Sequence, residues 1–247
     1  MRIKTVLLAP ALLLLPVHTA AAQQEPTSIT LYEGVFTRYS FQDFGFHASH
    51  EPVAQGGVTI IHGKWLFDWW HSVGLSEEGA FGRRGGQDES DFTGAFSDSF
   101  DSPLGKIDWS GTVAYYISVI PGDGDLYTTR DDFIDFHVDV SRTYAVGSNV
   151  TITPFVRATE IAGIGIEPAF TLIRTGARIA YAPVSWFTLK AEVSPSWNLT
   201  DNGPDVVRST IDAVFNLGGG WTFTGEAKFA SKIQPAFGGI FSYTFGI

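Results

Sequence analysis

Apolar and polar residues alternate in twos along most of this chain. In KIDWSGTVAYYISVI, one face carries Trp109, Val113 and Ile117, while the other face is mostly polar. Three later segments, WFTLKAEVSPSWNL, VVRSTIDAVFNL and WTFTGEAKFA, repeat this alternation, and no helical period of 3.6 competes with it. A period of two predicts β-strands with one apolar face and one polar face.

The alternation predicts twelve strands. Most contain ten or more residues, which is longer than the usual strand of about five or six but suits a strand that crosses a bilayer at a tilt. The expected bounds are 30–40, 53–62, 65–75, 88–100, 106–120, 131–143, 148–160, 167–182, 185–198, 205–217, 220–231 and 237–247.

The connections between these strands alternate between short and long. Short turns are expected at 62–64, 101–105, 146–149, 182–184 and 218–220. Longer polar loops are expected at 42–51, 76–87, 121–130 and 200–205. A soluble β-sandwich would also alternate. However, an even number of long strands with short turns at one end and longer loops at the other is typical of outer-membrane barrels. We therefore expect an all-β fold, a single transmembrane antiparallel up-and-down β-barrel with periplasmic turns and extracellular loops.

Aromatic residues support the barrel. Four tryptophans follow short turns and would form a girdle at one membrane interface; they are Trp65, Trp109, Trp186 and Trp221. The last strand presents an apolar face of the kind that the barrel-assembly machinery reads as a signal; its residues are Phe241, Tyr243, Phe245 and Ile247.

The first residues resemble a secretory signal. A basic start at Arg2 and Lys4 precedes an apolar run and an Ala-x-Ala sequence that ends at Ala22. A membrane-anchor helix fits less well because Pro10 and Pro16 interrupt a short run. We expect a signal peptide at 1–22 and a barrel at 23–247.

Composition excludes several classes of function. The 247 residues include no cysteine, so disulfides and thiolate metal sites are absent. The formal net charge is −10, and removal of Arg2 and Lys4 leaves 14 basic against 26 acidic residues. This acidity argues against a nucleic-acid partner, because phosphates would be repelled.

One stretch resembles a known family. Residues 39–60, YSFQDFGFHASHEPVAQGGVTI, are similar to the first hairpin of the TorF-like porin family, in which a polar loop leads into Pro-x-x-Gln-Gly-Gly. The matching residues are Pro52, Gln55, Gly56 and Gly57, whereas the Phe-Arg-Gly that usually follows the first strand appears only as FQDFG. The resemblance implies a bacterial outer-membrane barrel with a pore role, and it brings no catalytic residues.

In such a barrel the charged faces point inward and opposite charges pair across neighbouring strands. The expected pore-lining residues are Asp135, His137, Asp139, Arg157, Arg174, Arg178, Lys190, Glu192, Arg208, Asp212, Glu226 and Lys228. They favour a narrow channel for passive diffusion of ions or small polar solutes in the outer membrane of a Gram-negative bacterium. The expected surroundings are outer-membrane lipids and lipopolysaccharide, and no cofactor is expected.

Two groups of acidic residues have side chains that could bind a metal ion. Asp135, His137 and Asp139 share one face of a strand, but no second histidine or cysteine cluster completes a coordination shell. Asp123 and Asp125 lie in an acidic loop that lacks the remaining ligands of a calcium loop. We expect no metal.

Two further functions stay open as alternatives. The FHASHE segment contains the residue types of a serine hydrolase, and it loosely resembles the His-x-Ser of lipid A deacylases; these residues are His47, Ser49, His50 and Glu51. They fall in an expected loop that fixes no geometry. A lipid-modifying enzyme and a closed structural or adhesive barrel are therefore the alternatives, and no enzyme activity is expected.

Overall fold

The computed structural model describes residues 25–42, 46–75, 88–119, 132–164, 170–200 and 205–247. In this part of the chain no helix is long and apolar enough to cross a membrane. The strands are β1 (Thr27–Phe36), β2 (Tyr39–Phe41), β3 (Phe46–Ser49), β4 (Val53–His62), β5 (Trp65–Gly74), β6 (Asp88–Ser102), β7 (Gly105–Val119), β8 (Asp132–Ser141), β9 (Tyr144–Val146), β10 (Val150–Ile164), β11 (Phe170–Val184), β12 (Phe187–Asn198), β13 (Val206–Gly218), β14 (Trp221–Ala230) and β15 (Ile233–Gly246).

The strands form a closed antiparallel barrel. Neighbours around the ring are β1, β4, β5, β6, β7, β8, β10, β11, β12, β13, β14 and β15, and β15 pairs again with β1. That seam runs from Ser28↔Gly246 to Phe36↔Gly238. The predicted twelve-stranded barrel is confirmed. Strand β9 follows β8 along the same side of β10, so that β8 and β9 pair with successive parts of β10.

Alternation explains which side of each strand faces outward. Large apolar side chains such as Val113, Ile211 and Phe241 are about half exposed on the outer wall. Their strand neighbours are mostly polar and point into the barrel. Each of the twelve strands of the ring pairs on both sides, so in the described part of the chain the ring itself has no open edge strand; β9 pairs with β10 alone.

The two ends of the barrel differ. At one end, the turn end, consecutive strands are joined by tight turns in which glycine supplies the left-handed backbone, as at Gly63 (φ 56°) and Gly105 (φ 102°). Both chain ends of the barrel, near Thr27 and Gly246, also lie there. At the other end, the loop end, most connections are longer.

Two strand bounds that differ from those expected involve proline. The segment expected as one strand at 131–143 stops at Ser141 and resumes as β9, because Pro154 opposite Arg142 has no N–H to donate back to the ladder. The last strand begins at Ile233 rather than 237. Its Pro235 lies beyond the final β1–β15 pair, so its missing N–H breaks no bond with β1.

The connection after β1 folds across the loop end. Phe36, Tyr39 and Val53 form a small buried apolar cluster inside the barrel, against which Trp70 and Ile240 pack. Beyond this cluster the short β2–β3 hairpin forms a separate two-stranded sheet.

Two contacts fix this crossing segment to distant walls. The Tyr39 hydroxyl donates to Glu89 Oε1 at 2.7 Å on β6. On the other side, Gln42 Nε2 donates to the carbonyl oxygens of Phe229 at 3.0 Å and Ser209 at 3.3 Å. The segment therefore narrows the loop end of the lumen.

Candidate functional site

The inner wall carries a continuous group of ion pairs, which we call the ion-pair belt and define as Asp139, Arg157, Arg178, Glu192 and Arg208. Asp139 Oδ2 lies 3.1 Å from Arg157 Nη2 and 2.9 Å from Arg178 Nη2. Glu192 lies 3.1 Å from Arg178 Nε and 2.8 Å from Arg208 Nη2. The belt thus spans five neighbouring strands, from β8 to β13.

Strand register brings these side chains together. Arg157 is directly opposite Asp139, and Arg178 is directly opposite Glu192. Arg208 is opposite Ser194, one inward position from Glu192, and the Ser194 hydroxyl joins the two by accepting from Arg208 Nε and donating to Glu192 Oε1. All five side chains face inward, because residues that are opposite each other in register, or an even number of residues apart along one strand, lie on the same face of the wall.

Arg178 occupies the middle of the belt. Its guanidinium reaches both carboxylates and also lies 4.0 Å from the centre of the Phe155 ring. Gly176, two residues away on the same face, leaves room for this arrangement, since a Cβ there would meet the Val193 carbonyl and the Phe155 ring. The stacked, doubly paired guanidinium is held in one orientation.

The belt carries more positive than negative charge. It contains three guanidinium groups and two carboxylates. Arg174, which is almost fully buried, lies opposite Arg157 in register and adds a further cation to this wall. Within the five residues of the belt, positive charge exceeds negative charge by one.

Cavities lie on both sides of the belt. Towards the loop end, a cavity of about 260 Å³ is lined by residues that include Arg208. Towards the turn end, cavities of about 240 Å³ and 480 Å³ are both lined by Arg178. The belt therefore lies between cavities on its loop-end and turn-end sides.

The remaining predicted pore-lining residues also face inward. Lys190 is opposite Asp212, which in turn is opposite Glu226, and Lys228 Nζ lies 3.4 Å from Glu226 Oε1. All twelve predicted residues thus lie on inner-wall positions, and the structure joins Asp139, Arg157, Arg178, Glu192 and Arg208 into one network.

The Asp135, His137 and Asp139 triplet does not converge on one point. His137 Nδ1 lies 3.1 Å from Asp135 Oδ1, whereas Asp139 is held by two arginines. Among the residues that the structure describes, no group of three or more potential ligands could hold a metal ion. The calcium-loop candidates Asp123 and Asp125 lie outside those residues.

The hydrolase candidates receive no geometry. The backbone of β3 includes His47 and Ser49, but their side chains fall outside the described part of the structure. His50 and Glu51 follow β3 at exposed positions. The signal-peptide interval 1–22 also falls outside it.

An acidic group on the opposite wall was not among the predicted site residues. Glu89 and Asp91 lie two residues apart on the inward face of β6 and are both buried. Asp68, on the neighbouring strand, accepts hydrogen bonds from Thr59 at 2.5 Å and Tyr32 at 3.1 Å. The signal was present, because the period of two over 88–100 places Glu89 and Asp91 on the polar face.

The outer wall carries the aromatic residues at the turn end. Trp65, Trp186 and Trp221 are more than half exposed there, and Trp109 lies close by against Phe96. In the last strand, Phe241, Tyr243 and Phe245 point outward, and the Ile247 N–H donates to the Thr27 carbonyl.

A polar pair, Glu33 and His71, lies on the apolar outer wall. Glu33 lies between Leu31 and Val35, and its side chain is 57% exposed. Its Oε2 lies 3.4 Å from Nε2 of His71. Gly56, which separates the two in register, gives Glu33 the space to reach across. A carboxylate on this face is unfavourable against hydrocarbon.

Comparison with known proteins bears on the fold. No family model and no curated protein matches the sequence, so the likeness to the TorF-like family stays a prediction. The KdgM porin, solved in complex with disordered oligogalacturonate, is similar in structure at a TM-score of 0.54 and 8% identity, covering 88% of this chain and 99% of the porin.

An outer-membrane channel from Pseudomonas putida F1 gives a TM-score of 0.51 at 11% identity, covering 93% of this chain and 99% of that chain. At such low identity these likenesses show the fold alone. The chain has the fold of the outer-membrane β-barrel channels.

Proposed function

We propose that this chain is a narrow channel in the outer membrane of a Gram-negative bacterium, through which ions or small polar solutes diffuse passively. The ion-pair belt carries the proposal. Its charged side chains can interact with ions in the lumen, and cavities lie on both sides of it inside a closed barrel. A core made for stability alone would be filled by apolar side chains, since buried ion pairs stabilise little.

The likeness to solved channels supports this reading. The turn end would face the periplasm and the loop end the outside, with the outer wall in contact with lipid and lipopolysaccharide. The aromatic last strand fits recognition by the barrel-assembly machinery. Twelve strands lie between the eight that side chains fill and the sixteen of open porins, which favours a narrow passage.

A closed structural or adhesive barrel is the second candidate. The apolar cluster of Phe36, Tyr39 and Val53 fills part of the lumen under the crossing segment. In a closed barrel this apolar cluster would block the lumen, and the ion-pair belt would serve only to join neighbouring strands.

Ion current through purified, refolded full-length protein in planar bilayers tests the two candidates. A channel gives discrete current steps in KCl that change in size in the Arg174→Ala and Arg178→Ala variants. Absence of any current through correctly folded protein, whose folding is shown by heat-modifiable electrophoretic mobility, would establish the closed barrel instead.

A separate experiment tests the lipid-modifying enzyme. Lipid A mass spectra should stay unchanged after deletion of the gene if the protein does not modify lipid A.

A further inference from the structure

The cavity at the loop end has opposite charges on opposite walls. Asp91 on β6 and Asp135 on β8 line one side, and Arg208 on β13 and Lys228 on β14 line the other. In a ring of twelve strands, the strand six places along lies across the lumen, and β13 is six places from β6. The cavity is therefore polarised across its width.

The acidic wall is prepared for a cation. Asp91 is 8% exposed, and its Oδ1 has no hydrogen-bond partner among the described residues. Glu89, 2% exposed, lies two residues away on the same face and accepts a hydrogen bond from Tyr39. A buried acceptor that lines a cavity without a partner is costly unless a ligand or water satisfies it.

Aromatic rings stand beside these carboxyl groups. Tyr116 and Phe133, which both line the cavity, are stacked with ring centroids 4.2 Å apart. Trp70 and Tyr39 line it from another side, with ring centroids 5.5 Å apart. Aromatic faces and carboxylates together attract ammonium groups.

The basic wall presents two cations to the cavity, Arg208 and Lys228. Arg208 Nη2 lies 2.8 Å from Glu192, which also pairs with Arg178. Lys228 Nζ lies 3.4 Å from Glu226 and 4.5 Å from the centre of the Phe36 ring. This side can therefore attract a carboxylate.

We infer that the loop-end cavity binds a small zwitterion of amino-acid size, with its ammonium group towards Asp91 and Asp135 and its carboxylate towards Arg208 and Lys228. A volume of about 260 Å³ suits a molecule smaller than a drug-sized ligand. A simple cation or anion matches only one wall. This inference rests on the proposed channel, for which it names the class of solute.

The test compares three probes of similar size on the full-length protein: alanine, the cation alaninamide and the anion lactate. In planar bilayers, alanine should block the KCl current at concentrations about tenfold or more below those of the other two, because each of them loses one charged interaction. Isothermal titration of the detergent-solubilised protein measures the same affinities independently of conduction.

Variants locate the site. Asp91→Asn and Lys228→Met should each weaken alanine binding by about tenfold or more. The matched controls Asp101→Asn and Lys106→Met remove the same charges from an exposed pair at the turn end and should leave alanine binding unchanged.

Equal affinity for the three probes, or an equal loss in the controls, would overturn the zwitterion site. The channel is judged separately. Current without preferential alanine binding keeps the channel and refutes the site, whereas calorimetric binding without current refutes the channel and keeps the site.

Discussion

Arg178 should set the ion selectivity of the channel. It is the central cation of the ion-pair belt, where three guanidinium groups face two carboxylates. Arg178→Ala reduces the net charge of the belt from plus one to zero, and Arg178→Glu reverses it to minus one. Both changes should favour K⁺ over Cl⁻, with the larger shift for glutamate.

The size of the shift follows from Coulomb's law. An ion that passes about 5 Å from a unit charge in water gains or loses about 0.8 kcal/mol. This energy changes the permeability of each ion about fourfold, in opposite directions for K⁺ and Cl⁻. The K⁺ to Cl⁻ permeability ratio should therefore change by about fifteenfold for Arg178→Ala, and by about 200-fold for the two charges of Arg178→Glu.

Reversal potentials under a tenfold KCl gradient measure this ratio. Arg142→Ala is the matched control, because Arg142 stacks on Tyr144 at the turn end, outside the belt. Unchanged reversal potentials in both Arg178 variants, or a shift towards chloride, would show that the belt does not lie on the ion path.

Three further predictions concern the barrel wall. Glu33→Leu should stabilise the protein by about 1–2 kcal/mol in lipid, measured by urea unfolding from bilayers, because it removes a carboxyl group from the apolar face; destabilisation would mean that another protein normally covers Glu33. Gly57→Val should cost about 1–3 kcal/mol in the same assay, because its Cβ meets the Trp69 carbonyl; full stability would contradict the β4–β5 packing. Spin labels at Val113 and Ile211 should report hydrocarbon, and accessibility to water-soluble relaxation agents would contradict a lipid-facing wall.

Alternation in twos was sufficient to predict the barrel. The period depends only on which face each residue occupies, and a one-residue error would turn every side chain of a strand to the wrong side. The break in the strand after Ser141 is harder to predict from the sequence. It arises from Pro154 on the neighbouring strand, and that effect can be read only once the register of the two strands is known.

The composition of the belt also depended on register. The sequence identified the inward charges, but it could not tell that Arg178 reaches Asp139, which lies two strands away, as well as its direct partner Glu192. The offset between neighbouring strands determines where along the barrel axis each of these side chains lies. The sequence predicts that acidic and basic residues alternate around the whole wall. At the loop-end cavity the two charges are instead separated, with Asp91 on one side and Arg208 on the other.

The inward fold of the segment after β1 had a weak sequence signal. Phe36, Val53, Trp70 and Ile240 occupy inward positions where a water-filled lumen would favour polar residues. Phe36, Val53 and Trp70 lie in the loop-end halves of their strands, and Ile240 lies near the middle of β15. Apolar residues that interrupt the polar face at one end of several strands could therefore have predicted a segment that packs inside.

The seam between β1 and β15 has a consequence for biogenesis. Strands β1 and β15, which lie at opposite ends of the described chain, are hydrogen-bonded neighbours from Ser28↔Gly246 to Phe36↔Gly238. Without β15, the strands β1 and β14 would each become an unpaired edge strand whose backbone groups can pair with another chain. Loss of the final strand should thus destroy the entire structure rather than trim it.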